Sequence, residues 1–383
     1  MATLGGKFST FLANIRPTDN QRDGMAAGHR TLRSRLNDDE DLAPILVADF
    51  LQGSYRRSTA IRPRAGKRSD VDVVVVTKLD EDEYTPAEAQ ALFHPFLERH
   101  YEGKWKPQGR SLAIELSAVD LDLVITSAPS EIAQQALRSA AVRSLVTPDD
   151  TLDWRLNHLW LAPHERNTPE ALERMMQAAS AAEWQTEPLR IPDREADCWQ
   201  PTNPLEQIRW TFEKSRNTGR HYVNVVKALK WWRRVRHPEP ERPKSYPLEH
   251  IIGDCCPDGI GSVAEGVCRT LEEIRDRFDC CAQRCQTPVL KDRGTDQNVL
   301  HRITGPDFAD FHAQVSADAD LARKAYDEAG EDESARLWAE LLGTEFPGPG
   351  EDDEGSGSGS ASSASGRFVA PSRPAAPSRG RFA

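Results

Sequence analysis

Asp70-Val71-Asp72-Val73-Val74-Val75-Val76-Thr77 is the stretch that decides the fold. Six of its eight residues are β-branched, and four consecutive valines follow the second acid, which predicts a buried strand with a charged mouth at its start. Side chains alternate along a strand, so Asp70 and Asp72 share a face, about 6.6 Å apart at roughly 3.3 Å per residue. Two aligned carboxylates repel each other unless a cation lies between them. That spacing suits a divalent ion with a preference for carboxylate and phosphate oxygens, such as Mg²⁺.

Working outward, Val119-Asp-Leu-Asp-Leu-Val-Ile-Thr126 has the same character. Asp120 and Asp122 share one face, and Leu121, Leu123 and Ile125 the other. If this strand neighbours the first, it supplies a third carboxylate; periodicity alone does not choose between Asp120 and Asp122. Upstream, the strand-like run Ile45–Tyr55 ends at Gln52-Gly53-Ser54, about 16 residues before the acids. Glycine lets backbone come close to a ligand. The Ser54 hydroxyl and amides at a helix start would suit a phosphate. Ala65-Gly66-Lys67-Arg68-Ser69 resembles a P-loop only superficially, since the upstream glycine and the following helix are missing.

Residues 18–36 predict a helix capped by Thr18 or Asp19. Ser111–Ser117 and Val119–Thr126 read as strands, and Leu152–His158 and Pro169–Ala182 as helices. From Asn203 onward the pattern turns helical: Leu205–Arg216, Arg220–Arg236, Pro247–Ile252, Val263–Phe278, Ala317–Glu328 and Glu333–Leu342. The expected fold class is α+β: a palm with a mixed sheet and an N-terminal spine helix over 1–200, then a helical lobe over 201–347. After Phe346 the sequence runs to Gly, Ser, Ala and Pro. Such a segment buries too little to offset its ordering entropy, so 348–383 is expected to be a disordered tail.

At 383 residues the chain has room for two lobes, and its 38% hydrophobic content supplies their cores. No apolar run reaches the ~20 residues of a membrane span. The N-terminus lacks a secretory pattern, so the cytoplasm is the expected compartment. Seven cysteines without a paired C-x-x-C signature predict reduced thiols rather than a disulfide framework or a zinc site. The net charge of −11 excludes broad nucleic-acid binding. Basic residues instead gather in Arg56–Arg68 and Lys227–Arg236, as a cleft for a small anion requires. Taken singly, Lys227–Arg236 reads as a solvated basic face packed by tryptophans. Its Lys227 and Lys230 lie three apart and share a helix face. Ser245 reads as a cap for a helix beginning near Pro247.

Together these segments resemble the cyclic GMP-AMP synthase/DncV-like nucleotidyltransferases, a branch of the polymerase-β-like superfamily. The resemblance covers nearly all of residues 40–347. Its markers are Gly53-Ser54, Asp70/Asp72, the strand Val119–Thr126, Lys227–Trp232 (K-x-x-K-W-W), Lys244–Glu249 (K-S-Y-x-L-E) and Trp338–Pro347. It implies that Ser54 binds the triphosphate, with Gly53 before it, and that Asp70, Asp72 and Asp122 bind metal and are catalytic. The family's third acid precedes a hydrophobic residue and Val, which matches Asp122-Leu123-Val124; Ile125 stands where family members often carry proline. It further implies that Lys230 and Ser245 contact the triphosphate and that a base stacks on Tyr246. The implied cofactor is a pair of Mg²⁺ ions, with Mn²⁺ as a substitute. The implied substrates are ATP and GTP, and the implied product is a cyclic di- or trinucleotide second messenger of anti-phage defence that acts on a cyclic-nucleotide-gated effector. No DNA-activating zinc insertion is visible. A linear RNA-, protein- or antibiotic-nucleotidylating enzyme of the same fold, and a non-catalytic NTP-binding regulator, are the rival readings. The tail resembles that of synthases encoded beside a ubiquitin-activating and conjugating-like enzyme, which implies Ala383 as a point of conjugation.

Overall fold

The computed structural model describes residues 4–128, 154–156 and 188–350. Helices α1 (Gly5–Ile15) and α2 (Asp19–Asn37) come first. Thr18 caps α2, and its pairing with Gln21 completes a reciprocal capping box. Strand β1 (Leu46–Gln52) follows, then a single helical turn α3 (Gly53–Arg56) and β2 (Ser69–Thr77). Helices α4 (Pro86–Ala91) and α5 (His94–Tyr101) precede β3 (Trp105–Pro107), β4 (Leu112–Glu115) and β5 (Val119–Ser127). Strands β6 (Trp154–Leu156), β7 (Leu189–Asp193) and β8 (Cys198–Thr202) complete the sheet. Helices α6 (Pro204–Asn217), α7 (Tyr222–Arg236), α8 (Ser245–Cys255), α9 (Val263–Gln283), α10 (Gly305–Asp327) and α11 (Glu331–Leu342) form the remainder.

The strands run in the order β3-β4-β5-β2-β1-β6, with β7 pairing β5 and β8. Among the described residues only the central β2–β5 pair is parallel, so the sheet is mixed, as expected. Val71 and Val73–Val76 are all inaccessible, the burial that their unbroken apolar run predicts. Helix α2 lies against β5, and Gly28 is what permits this: a Cβ there would meet Val119 Cγ1 at 2.6 Å. The strand carrying the third acid is thereby pressed against the helix.

Two apolar cores form among the described residues. One joins α2, α5 and the sheet. The other joins α7 to α11 and also takes in Leu4 together with Phe8, Phe11, Leu12 and Ile15 of α1. Phe8 packs edge-on against Trp338 and Phe346, with ring centroids 5.0 Å away in each case. Lys7 Nζ donates to the Gly348 carbonyl at 2.8 Å, and Asn14 Nδ2 to that of Glu345 at 2.9 Å.

Three sequence expectations need correction. Trp154–Leu156, expected within a helix, is a strand paired antiparallel to β1. The open ladder of β1 supplies backbone partners that outweigh a weak local helix preference. Pro169–Ala182 lies outside the described residues, as does the tail from residue 351 with Ala383. Ser245 does not cap a helix: it is already the first residue of α8, Lys244 precedes it, and no side-chain cap bond forms. Pro247 fits in that first turn because amides there lack intrahelical acceptors anyway. Finally, Lys227–Arg236 is not a solvated face. Lys227, Lys230 and Arg233 are all less than a tenth exposed, because α7 is packed on several sides by the other helices.

Candidate active site

Parallel pairing sets Asp70 opposite Asp120 and Asp72 opposite Asp122. The carboxylates of Asp70, Asp72 and Asp122 come within 4.8 Å of one another, the one such acidic or His/Cys group among the described residues. The Asp120–Asp122 ambiguity is resolved by what each acid meets. Arg68, just before β2, takes Asp120 through an Nε–Oδ1 contact of 2.6 Å at the strand mouth. Asp122, two residues further along the strand, accepts from Ser111 Oγ at 3.2 Å and lies within the cluster with Asp70 and Asp72.

Gly53 completes this floor. Its φ is +73°, and a Cβ built on it would lie 1.7 Å from Asp72 Oδ2. Any side chain would therefore displace a carboxylate of the cluster as well as strain the backbone. Ser54 follows in the four-residue turn α3, and its carbonyl accepts from the amides of Thr59 (2.9 Å) and Ala60 (3.1 Å), which fixes the loop behind it. Gly53→Ala is expected to leave the secondary structure intact yet cut turnover by roughly 10²-fold, the scale of an ångström misplacement. Parallel circular dichroism and turnover assays check this.

Electrostatics make the cluster costly when bare. Partial desolvation in the cleft, then Asp72 and Asp122, push Asp70 up to about 8. Desolvation and Asp122 push Asp72 up to about 6, against the opposing pull of Arg57. Desolvation also raises Asp122, opposed by its bond from Ser111. Both Asp70 and Asp72 thus hold protons in the fold that the unfolded chain, near 3.8, has released. Stability of the metal-free protein should accordingly fall as pH rises between about 4 and about 8. Three hard oxygen donors that disfavour their own ionisation fit a divalent cation of the Mg²⁺ or Mn²⁺ kind. Because the cation replaces protons, Mg²⁺ should raise the melting temperature more at pH 8 than at pH 6; an equal rise at both would contradict this account.

On the helical side, Glu249 is a buried hub. Its carboxylate receives Lys230 Nζ at 2.8 Å, Arg57 Nη2 at 3.2 Å and Thr59 Oγ1 at 3.1 Å. Burial alone would raise the Glu249 carboxyl, but Lys230 and Arg57 outweigh it and hold it below the ordinary range. Lys230 also donates to the Thr59 carbonyl at 3.1 Å, so the helix lysine is tied to the loop that follows Ser54. Ser245 is exposed and lines one cavity with Lys230. Tyr246 is half-buried and turns to a second, smaller recess beside Arg57, Trp210 and Arg293. Its hydroxyl donates to Asp292, and Arg57 lies 5.6 Å from its ring centroid. The structure thus gathers Gly53 and the three aspartates into one group and holds Lys230 at the following loop. Ser245 and Tyr246 are distributed over two adjoining recesses. Sequence reasoning gave Glu249 and Arg57 no role; the signal was available in the final letter of K-S-Y-x-L-E and in the arginine three residues after Ser54. The cysteines take no part. Cys255, Cys256 and Cys268 sit in the helical core, and all seven are free thiols.

A mixed sheet presenting three acids beneath a glycine-led turn, faced by a helical region with a buried lysine, defines a nucleotidyltransferase. Residues 2–127 match the Second Messenger Oligonucleotide or Dinucleotide Synthetase domain, SMODS. The chain is 43% identical to a cyclic AMP-AMP-GMP synthase of Enterobacter hormaechei subsp. hoffmannii over 99% of its own length and 100% of the relative's. It is 44% identical, with the same coverage, to a probable cyclic AMP-AMP-GMP nucleotide synthase of Salmonella paratyphi B. Among solved structures, a mutant of the di-nucleotide cyclase DncV of Vibrio cholerae in complex with ATP, GTP and 5MTHFGLU2 superposes with a TM-score of 0.63. It is 13% identical, and the match covers 92% of this chain and 97% of that one. The chain belongs to the cyclic GMP-AMP synthase/DncV-like nucleotidyltransferases, and it is a cyclic oligonucleotide-producing member of that family.

Proposed function

We propose that the protein makes a cyclic AMP-AMP-GMP-type trinucleotide from ATP and GTP, in an Mg²⁺-dependent reaction, as a second messenger of anti-phage defence in the cytoplasm. What carries the reading is the full-length 43% identity to the Enterobacter cyclic AMP-AMP-GMP synthase, joined to the convergence of Asp70, Asp72 and Asp122. Asp70, Asp72 and Asp122 would hold the divalent ions. Those ions, when bound, lower the pKa of the acceptor hydroxyl and stabilise the departing pyrophosphate. Asp122, oriented by Ser111, would stand nearest the attacking hydroxyl and accept its proton. The new bond forms between that oxygen and the α-phosphorus as the bond to pyrophosphate breaks. Ser54, Lys230 and Ser245 would orient the triphosphate, and Tyr246 would carry a base. The ring closes by the same step on the linear intermediate. For Lys230 to touch phosphate it must share or leave Glu249.

The test is mass spectrometry of products from all four NTPs with Mg²⁺, followed by phosphatase digestion. A phosphatase-resistant trinucleotide containing two adenosines and one guanosine is expected. A phosphatase-sensitive product would mean linear transfer, and binding without pyrophosphate release would mean a regulator.

We further propose that Ala383 is joined to a target by a ubiquitin-transfer-like partner, and that the product opens a cyclic-nucleotide-gated effector. The composition of residues 355–366, GSGSGSASSASG, supports a reach of this kind. An adduct on incubation with the cognate conjugating enzyme, lost when Ala383 is deleted, is the expected result.

A further inference from the structure

Arg57 stands three residues after Ser54, and its amide donates to the Gly53 carbonyl at 3.1 Å, so the turn that carries Ser54 also fixes its backbone. The residue is only 9% exposed. Its Nε and Nη2 donate to Glu249 Oε2 at 3.3 and 3.2 Å. Lys230 Nζ takes the other oxygen, Oε1, at 2.8 Å, and Thr59 Oγ1 lies 3.1 Å from both. A single buried carboxylate therefore faces two buried cations, each on an oxygen of its own.

Taking the cation away from a buried ion pair leaves an uncompensated charge and is strongly unfavourable. Were Lys230 the sole partner of Glu249, drawing it to a phosphate would strand the carboxylate in this way. With Arg57 on Oε2, the lysine can leave and a neutral, hydrogen-bonded pair stays behind. Arginine suits the task because its guanidinium does not give up its proton and offers several donors to one acceptor. Burial opposes the Arg57 charge, yet Glu249 outweighs burial and holds the guanidinium above its ordinary range. Lys230 also lines the cavity that takes in Ser245, so it has space into which to turn.

We propose that Arg57 is a positioning residue of nucleotidyl transfer: it keeps Glu249 neutralised while Lys230 passes from that carboxylate to the triphosphate of the incoming nucleotide. This rests on the reading above, in which Lys230 orients the triphosphate. Arg57 acts through Glu249 and Lys230 and does not itself touch phosphate. Before nucleotide arrives, the same carboxylate keeps the lysine ordered at the loop behind Ser54, where its ammonium also meets the Thr59 carbonyl.

Arg57→Met in the full chain tests this. Glu249 keeps Lys230 as its partner in that variant, so it should melt close to the parent, but the lysine is now the sole counter-charge and is hard to release. Titration calorimetry with a non-hydrolysable ATP analogue and Mg²⁺ should show binding about tenfold weaker, the scale of one lost charge-assisted contact. Ground state and transition state lose the lysine alike, so KM for ATP should rise by more than kcat falls. Arg57→Lys keeps a cation on Glu249 and should recover most of the affinity. Adding Glu249→Gln to Arg57→Met removes the carboxylate that holds Lys230 and should also recover it. In Lys230→Met with Glu249→Gln no lysine remains to be released, and the further change Arg57→Met should shift affinity by less than about twofold. A further tenfold loss there would mean that Arg57 draws the anion directly, and would overturn the proposal. So would binding by Arg57→Met equal to the parent's, or no recovery with Glu249→Gln. Adenosine should bind Arg57→Met and parent alike; a matching loss would place the effect on the Tyr246 ring beside Arg57 and would equally overturn it. A parent chain that neither binds the analogue nor joins nucleotides would remove the catalytic reading and this inference with it. A parent that does both while Arg57→Met behaves as the parent does would remove this inference alone.

Discussion

Asp70→Asn combined with Asp72→Asn is expected to abolish nucleotide joining, a fall of about 10³-fold or more, in a protein that melts no lower than its parent. The first half follows from chemistry: neutral amides hold divalent ions poorly, and the charge stabilisation those ions give is worth several kcal/mol, at tenfold per 1.36 kcal/mol. The second half follows from electrostatics. In the metal-free fold the two carboxylates repel Asp122 and each other across less than 5 Å, so removing charge relieves a strain that the pair carries. The variant should also lose the pH-dependent rise in melting temperature on adding Mg²⁺. Turnover assays with labelled NTPs, run beside thermal melts with and without Mg²⁺, give all three readouts. Undiminished turnover would remove the acids from the reaction, whatever the melts show.

Glu249→Gln should be the most destabilising conservative change at the site, costing about 3–5 kcal/mol, the scale for breaking a buried pair from one side. Glutamine keeps the shape but leaves Lys230 and Arg57 facing each other in the interior with no counter-charge. Adding Lys230→Met should cost less than the sum of the two single changes, because the second removes a cation that the first has left unpaired. Urea denaturation of the three variants measures the coupling. Strict additivity would show that Lys230 and Glu249 are not energetically joined, despite their 2.8 Å contact.

Much of the carboxylate cluster was legible in the chain because its geometry is local. A strand's two-residue repeat puts Asp70 and Asp72 on one face wherever the strand lies, and the same repeat restricted the third acid to Asp120 or Asp122. The family resemblance selected Asp122; the physical reason for that choice lies with Arg68 and Ser111, whose approach depends on how the sheet is assembled. Gly53 was visible as a place where backbone nears a ligand; that its missing Cβ makes room for Asp72 was not. The helical side was less legible. Lys230 and Ser245 could be matched to a motif, yet one partner of Lys230 lies far away in sequence: Thr59 precedes it by 171 residues. Burial of the basic segment in α7 likewise depends on helices that arrive later in the chain. Trp154–Leu156 went to the sheet because β1 had an unpaired side, a fact of the assembled structure rather than of those three residues.

The clasp of α1 around the end of the helical core has a practical reach. Phe8 and Phe11 cover Phe346, and Lys7 and Asn14 hold the backbone at 348 and 345, so the point from which the chain continues toward its last residues is anchored by its opening helix. Trimming the front of this protein is therefore also an injury to the root of its tail.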